Sequence, residues 1–243
     1  MALFAQISDL HLDGTERAAE RARRTVDYLN GLARPVDALL VTGDIADHGT
    51  EAEYEEVREL LATVKVPVLP CPGNHDVRGP YRKALLGDEP TGGPINRRHH
   101  VAGVNILMVD GTVPEQGHGY VDDETVDWIR DQLRDDDTPT LIALHHPPAR
   151  MYEPVLDTIL LHEPDRLAAV VEAYPQVIAV LTGHAHTACA TTFAGRPLIV
   201  APAVTFAVRL EWEGGTHDNW DQPPGVAFHV VDGNRITTHF RVA

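Results

Sequence analysis

Short apolar runs alternate with segments of helical periodicity along most of the chain, and this alternation predicts an α/β fold rather than separate α and β regions. "LFAQIS", "VDALLVTGD" and "VPVLPCPGN" read as buried strands. Between them, "RAAERARRTVDYLNGLA" and "TEAEYEEVRELLATV" read as helices. Further along, "VAGVNILMVDG" and "PTLIALHH" predict strands on either side of a helix in "DDETVDWIRDQLRD". "EPDRLAAVVEAY" predicts a helix before the strand "QVIAVLTGH". The pattern then changes to consecutive strands, "ACATTFAG", "RPLIVAPAV", "VAFHVVDG" and "RITTHFRV". No internal repeat or low-complexity linker interrupts the series, so residues 1–243 read as one domain.

Polar clusters fall where these apolar runs end. Asp9 and His11, Asp44, Asn74 and His75, His145 and His146, and His184 and His186 each follow a strand-like segment. Ligands of open α/β sheets bind beyond the carboxyl ends of the strands, so the clusters are expected to converge. Each cluster alone also has an ordinary structural reading. Asp9 and His11 suit a capping aspartate beside a surface histidine, Gly43–Asp44 suits a turn, and His184 and His186 suit loop positions in a chain with 14 histidines. As a set, Asp9, His11, Asp44, Asn74, His145, His184 and His186 offer only oxygen and imidazole nitrogen donors. That chemistry suits Mn, Fe or Zn and differs from a structural thiolate zinc site. So many donors point to a pair of ions sharing a carboxylate, with Asp44 as the bridge.

Charge and composition narrow the partners. Lys+Arg 20 against Asp+Glu 36 gives a net charge of −16, and no basic run offsets it. Nonspecific binding to nucleic-acid polymers or anionic membranes is therefore disfavoured. Cys71 and Cys189 are too few for a disulfide framework and read as small hydrophobes. The opening "MALFAQISDLHLDG" has no basic leader region, and no later segment is apolar for long enough to span a bilayer. A cytoplasmic location without a membrane partner is expected.

The blocks "DLHL", "GDIAD", "GNHD", "HHPP" and "GHAH", in that order, resemble the calcineurin-like metallophosphoesterase superfamily. Within it, "ISDLHL", "HHPP" and "PPGVAFHVVDG" most resemble the bacterial class III cyclic-nucleotide phosphodiesterases. The resemblance implies a four-layer α/β/β/α sandwich of two mixed sheets with metals at one edge. It implies that Asp9, His11, Asp44 and His186 hold one metal, and Asp44, Asn74, His145 and His184 the other. The cofactors would be two divalent or trivalent ions, Mn, Fe or Zn. The implied reaction is hydrolysis of small phosphodiesters, such as 3',5'-cyclic nucleotides, by in-line attack of a metal-bridging hydroxide.

The same resemblance implies that His75 assists the leaving oxygen and that Asp47 orients the His75 ring; a helix-capping role is the alternative for Asp47. Asp76 and His146 read as supporting residues; Arg78, Arg97 and Arg98 have two readings, contacts to a phosphate or loop arginines facing water, and the second is the ordinary one. A phosphomonoesterase or nucleotide pyrophosphatase on the same fold is the alternative enzyme. A metal-stabilised binding protein without turnover is a third reading, and the complete donor set argues against it. Similar proteins are often dimers, so a homodimer is among the expected assemblies.

Overall fold

The computed structural model describes residues 1–243. The chain runs β1 (Ala2–Ile7), α1 (Glu16–Asn30), β2 (Ala38–Thr42), α2 (Glu51–Leu61), β3 (Val68–Cys71), α3 (Arg78–Tyr81), β4 (Arg97–Val101) and β5 (Val104–Met108). Next come β6 (Gly119–Tyr120), α4 (Asp123–Leu133), β7 (Thr140–Ala143), β8 (Leu161–His162), α5 (Asp165–Ala173) and β9 (Val177–Thr182). The last strands are β10 (Cys189–Phe193), β11 (Arg196–Val200), β12 (Ala207–Val208), β13 (Asp218–Asn219), β14 (Gly225–Asp232) and β15 (Arg235–Val242).

Two mixed sheets face each other. One has the order β15-β14-β1-β2-β3, with β1, β2 and β3 parallel, β14 antiparallel to β1, and β15 antiparallel to β14. The other has the order β10-β11-β9-β7-β5-β4, parallel from β11 to β5 and flanked by antiparallel edges. Phe4, Leu40 and Leu69 from the first sheet meet Ile106, Met108, Leu141 and Leu181 from the second in a shared apolar core. Helices α1 and α2 cover the first sheet through Ala18, Ala22, Leu29 and Val57. Helices α4 and α5 cover the second through Val126, Ile129, Leu167 and Val170. The layers are therefore α/β/β/α, as the resemblance implies.

Helix boundaries follow from local chemistry. Thr15 caps α1 by accepting from the Ala18 N–H, and Ala18, Ala22, Val26 and Leu29 then form its buried stripe. Helix α2 opens on a reciprocal cap, Thr50 with Glu53. The main departure from the sequence reading is β4, the unpredicted first arm of a hairpin with β5. Its sequence "RRHHV" alternates half-buried and exposed positions and carries no apolar run. The turn uses Ala102 and Gly103 at positive φ. The pairs β6–β8 and β12–β13 are two residues long, too short to leave a periodic signal. Both cysteines are free, and no helix is long and apolar enough to cross a membrane.

A buried polar thread ties the sheets together below the strand ends. The Thr238 hydroxyl on β15 donates to His229 Nδ1 (2.8 Å), and His229 Nε2–H donates to the Gln6 carbonyl oxygen (2.9 Å). The Gln6 amide in turn donates to Thr42 Oγ1 and, across the interface, to the Thr182 carbonyl, both at 2.9 Å. Every partner is used, which is what makes a polar chain tolerable in an apolar interior.

Burial pushes the His229 ring down to about 3 from its ordinary 6.5. The unfolded chain thus takes up a proton below 6.5 that the folded chain refuses until about pH 3. His229 costs no stability above that window and about 1.4 kcal/mol per pH unit as pH falls through it. Urea titrations between pH 4 and 6 are expected to show a shallower loss of stability for His229→Leu than for wild type. At pH 7 the same variant loses about 1–3 kcal/mol, because the Gln6 carbonyl is left buried without a donor. An unchanged pH slope would contradict this account.

Candidate metal centre

The polar clusters converge at the carboxyl ends of the central strands. Asp9 and His11 follow β1, Asp44 follows β2, Asn74 and His75 follow β3, His145 and His146 follow β7, and His184 and His186 follow β9. Side-chain donor atoms fall into four overlapping groups, each within 4.8 Å: Asp9–His11–His186, Asp9–Asp44–His145, His11–Asp44–His75 and His145–His146–His184. Asp9, His11, Asp44, His145, His184 and His186 are all buried, Asp9 and His145 completely. The surface-histidine and simple-turn readings therefore do not describe them.

Neighbouring loops are laced together by backbone bonds. Asp9 N–H donates to the Gly43 carbonyl, His11 N–H to Asp44, Leu12 N–H to Ile45, and Asp47 N–H back to Leu12, all at 3.0–3.1 Å. This lacing holds unusual conformations. Of the ten non-glycine residues at positive φ, five are Asp9, His11, Asp44, His184 and His186. Such backbone costs about 1–3 kcal/mol per residue and persists where surrounding contacts enforce it, typically at functional sites.

Two glycines are required by close approach. A Cβ on Gly43, which also has φ +89, would lie 2.4 Å from His145 Nδ1. A Cβ on Gly73 would lie 2.2 Å from Asp44 Oδ1. Gly73 does not have positive φ, so its role is to admit Asp44 beside the Asn74 loop rather than to supply a special turn.

Three imidazoles are oriented from behind. His11 Nδ1–H donates to Asp47 Oδ1 (2.7 Å), His145 Nδ1–H to the Thr42 carbonyl (2.7 Å), and His186 Nδ1–H to the Phe206 carbonyl (2.9 Å). Their Nε2 lone pairs consequently face inward. His11 Nε2 lies 3.2 Å from His186 Nε2 and 3.5 Å from Asp44 Oδ2. His145 Nε2 lies 3.2 Å from Asp44 Oδ2 and 3.2 Å from His184 Nδ1. Asn74 Oδ1 is buried with no hydrogen-bond partner. Lone pairs and carboxylates this close, with an amide oxygen buried and unpartnered on the adjoining loop, fit cations, and outward-donating Nδ1–H groups are the usual support of metal-binding histidines.

The carboxylates that would draw a cation here also draw a proton, which a metal ion would have to displace from His145 Nε2. Burial lowers the proton affinity of His145, yet the Asp44 and Asp9 carboxylates outweigh it and raise the ring to about 9. Burial would raise Asp44, but His145 and the other nearby imidazoles hold it well below the ordinary carboxylate range. Burial, with the charge of His145, pushes His184 down to about 3.

Residues around the donors sort by contact. The Asp47 carboxylate bonds His11, while His75 Nδ1–H donates to the Asp47 main-chain carbonyl (2.7 Å) and lies 3.5 Å from the carboxylate. Thr50, not Asp47, caps α2. Asp76 accepts from the N–H groups of Ile45, Ala46 and Gly73 and from the Tyr54 hydroxyl, joining the Asp44 and Asn74 loops. Burial and the Asp44 charge push its carboxyl up to about 6. His146 donates from Nε2 to the Gly117 carbonyl and packs 4.6 Å from the His184 ring.

None of the three arginines is left over for the centre. Arg78 turns inward onto Asp110 and the Gly92 and Thr112 carbonyls, whereas Arg97 pairs with Asp88 and Arg98 with Asp136. Sequence reasoning missed the Thr42 and Phe206 carbonyls, for which a main-chain oxygen leaves no residue-type signal.

Comparison with known proteins agrees with this geometry. The family model for calcineurin-like phosphoesterase matches residues 2–188. A "probable cyclic nucleotide phosphodiesterase" of Rhodococcus erythropolis is 32% identical over 94% of this chain and 80% of its own length. A glycerophosphodiester phosphodiesterase of Enterobacter lignolyticus is 31% identical over 98% of this chain and 90% of its own. The crystal structure of a dimetal phosphatase from Danio rerio superposes with a TM-score of 0.76 at 14% identity, covering 99% of this chain and 96% of that one. With the family model spanning most of the sequence and these relatives matching nearly end to end, the chain belongs to the calcineurin-like phosphoesterase family, and its named relatives are phosphodiesterases.

Proposed function

We propose that this protein hydrolyses small phosphodiesters, 3',5'-cyclic nucleotides among them, with two transition-metal ions. Asp9, His11, Asp44 and His186 would hold one ion; Asp44, Asn74, His145 and His184 would hold the other. The observation that carries this reading is the convergence of His11, His145 and His186 Nε2 lone pairs on two carboxylates, with each Nδ1–H committed to an acceptor behind it. The relatives' named activities support diesters as the substrate class. A net charge of −16 favours small diesters over polymers.

Two ions bound there supply an acidified water as nucleophile and neutralise charge developing on the phosphoryl oxygens. The protein's own part is positioning and proton handling. The His75 N–H donates to Asp44 Oδ1 (2.9 Å) while its ring donates from Nδ1 to the Asp47 carbonyl. With Nδ1–H held by that carbonyl, Nε2 can give a proton to the departing oxygen only from the doubly protonated ring. The ring returns to neutral on transfer and is recharged from water at its 41% exposed side chain. In this reading the Asp47 residue serves twice, its carbonyl orienting His75 and its carboxylate orienting His11.

Asp44→Asn removes the one charge both ions would share. Metal content by elemental analysis and diesterase activity are expected to fall together, activity by at least about a hundredfold. Full activity at normal metal loading would refute the shared-carboxylate centre. His75→Ala is expected to keep both metals and lose about 10²- to 10⁴-fold on a cyclic-nucleotide diester, whose leaving alkoxide needs a proton. The loss on bis(p-nitrophenyl) phosphate, whose leaving group departs unaided, should be far smaller. Loss of metal in this variant would make His75 a ligand instead.

A further inference from the structure

On the His11 side of the metal centre opens a cavity of about 420 Å³, lined by His11, Asp13, Arg17, Asp47, Phe206 and Trp220 among others. This is within the usual range for small-ligand sites, roughly 300–1,000 Å³. One wall is aromatic and continuous with the metal centre. The Phe206 ring lies 4.4 Å from the His186 ring and 4.9 Å from the Trp220 ring.

The wall is anchored by α1. Arg21 donates to four carbonyls of the segment that carries it: Val204 (2.9 Å), Thr205 (2.6 Å), Trp220 (3.3 Å) and Gln222 (2.6 Å). From the other side, the N–H groups of Val204 and Thr205 donate to the Ser8 and Asp9 carbonyls. One helical turn before Arg21, the Arg17 guanidinium lies 3.8 Å over the Trp220 ring. A wall restrained at both ends can present its rings without an ordering cost on binding.

We infer that Phe206 and Trp220 bind the organic group of the diester and select a planar heteroaromatic one, a nucleobase, over a glycerol or amino-alcohol group. The inference rests on the phosphodiesterase reading of the metal centre. A nucleobase has a π-face to stack on aromatic rings and on a guanidinium plane, whereas glycerol has none. A choline or ethanolamine headgroup would seek the cation site over an indole, which Arg17 already covers; the two carboxylates that line the cavity, Asp13 and Asp47, are themselves engaged by Thr15 and by His11.

The test compares ligands that differ only by the base. AMP and ribose 5-phosphate are titrated into the Mn²⁺-loaded protein by calorimetry. AMP is expected to bind wild type at least about tenfold more tightly, the range of a base stacked on an aromatic side chain. In a Phe206→Leu/Trp220→Leu variant with unchanged metal content the gap should shrink to a few-fold. The variant's kcat/KM for 3',5'-cyclic AMP should fall about tenfold further than that for glycerophosphoethanolamine, mainly through KM. No gap in wild type, a gap that survives in the variant, or equal losses on both diesters overturns the assignment. The wild-type comparison stands whether or not the variant folds. Hydrolysis of neither diester by the metal-loaded wild type overturns instead the phosphodiesterase reading beneath it.

Discussion

His11, His145 and His186 each give up the Nδ1–H to a fixed acceptor, and the nitrogens opposite are left as lone pairs directed at one another and at Asp9 and Asp44. Much of the surrounding structure serves that constraint. An imidazole free to rotate or exchange tautomers would satisfy its neighbours by hydrogen bonding among themselves. Here two of the acceptors are main-chain carbonyls at Thr42 and Phe206, so ring orientation is set by where the backbone runs. The result is a concentrated patch of electron-rich atoms in a buried place, which a cation relieves and a neutral ligand would not.

Holding such a patch together requires backbone that an unconstrained chain would avoid. Five donor residues sit at positive φ, and the loops bearing them are laced by main-chain bonds and by Asp76, which collects three N–H groups and a tyrosine hydroxyl. Below the loops, the His229–Gln6–Thr42 thread reaches the Thr182 carbonyl, which fixes one sheet against the other close to where His145 and His184 leave their strands. Local strain and long-range polar contacts thus belong to one arrangement: the contacts supply the rigidity that the strained positions need.

Phe206 links chemistry to recognition. Its carbonyl orients His186, and its ring forms the near end of the aromatic wall beside the centre. Arg21 anchors the segment around it, so one side chain on α1 supports both a donor's orientation and the cavity's shape.

Residue type and spacing alone marked the four long helices, most strands and the positions of the candidate donors, but not the four-residue α3. Helices α1 and α2 carry apolar stripes and caps within their own segments, and Asp, Asn and His at the ends of apolar runs are visible letter by letter. Strand β4 was not legible, because an edge strand of arginines and histidines buries too little to show a pattern. The two roles left open for Asp47 depended on distances between segments: Thr50 takes the cap, the Asp47 carboxylate meets His11, and its carbonyl meets His75. Likewise Arg78 turns toward Asp110, 32 residues away, rather than toward water. Caps and periodicity depend on neighbours a few residues apart, so the sequence carries them. Which carbonyl stands behind which imidazole depends on bringing residues such as Thr42 and His145 together across the two sheets, and only the packed fold determines that.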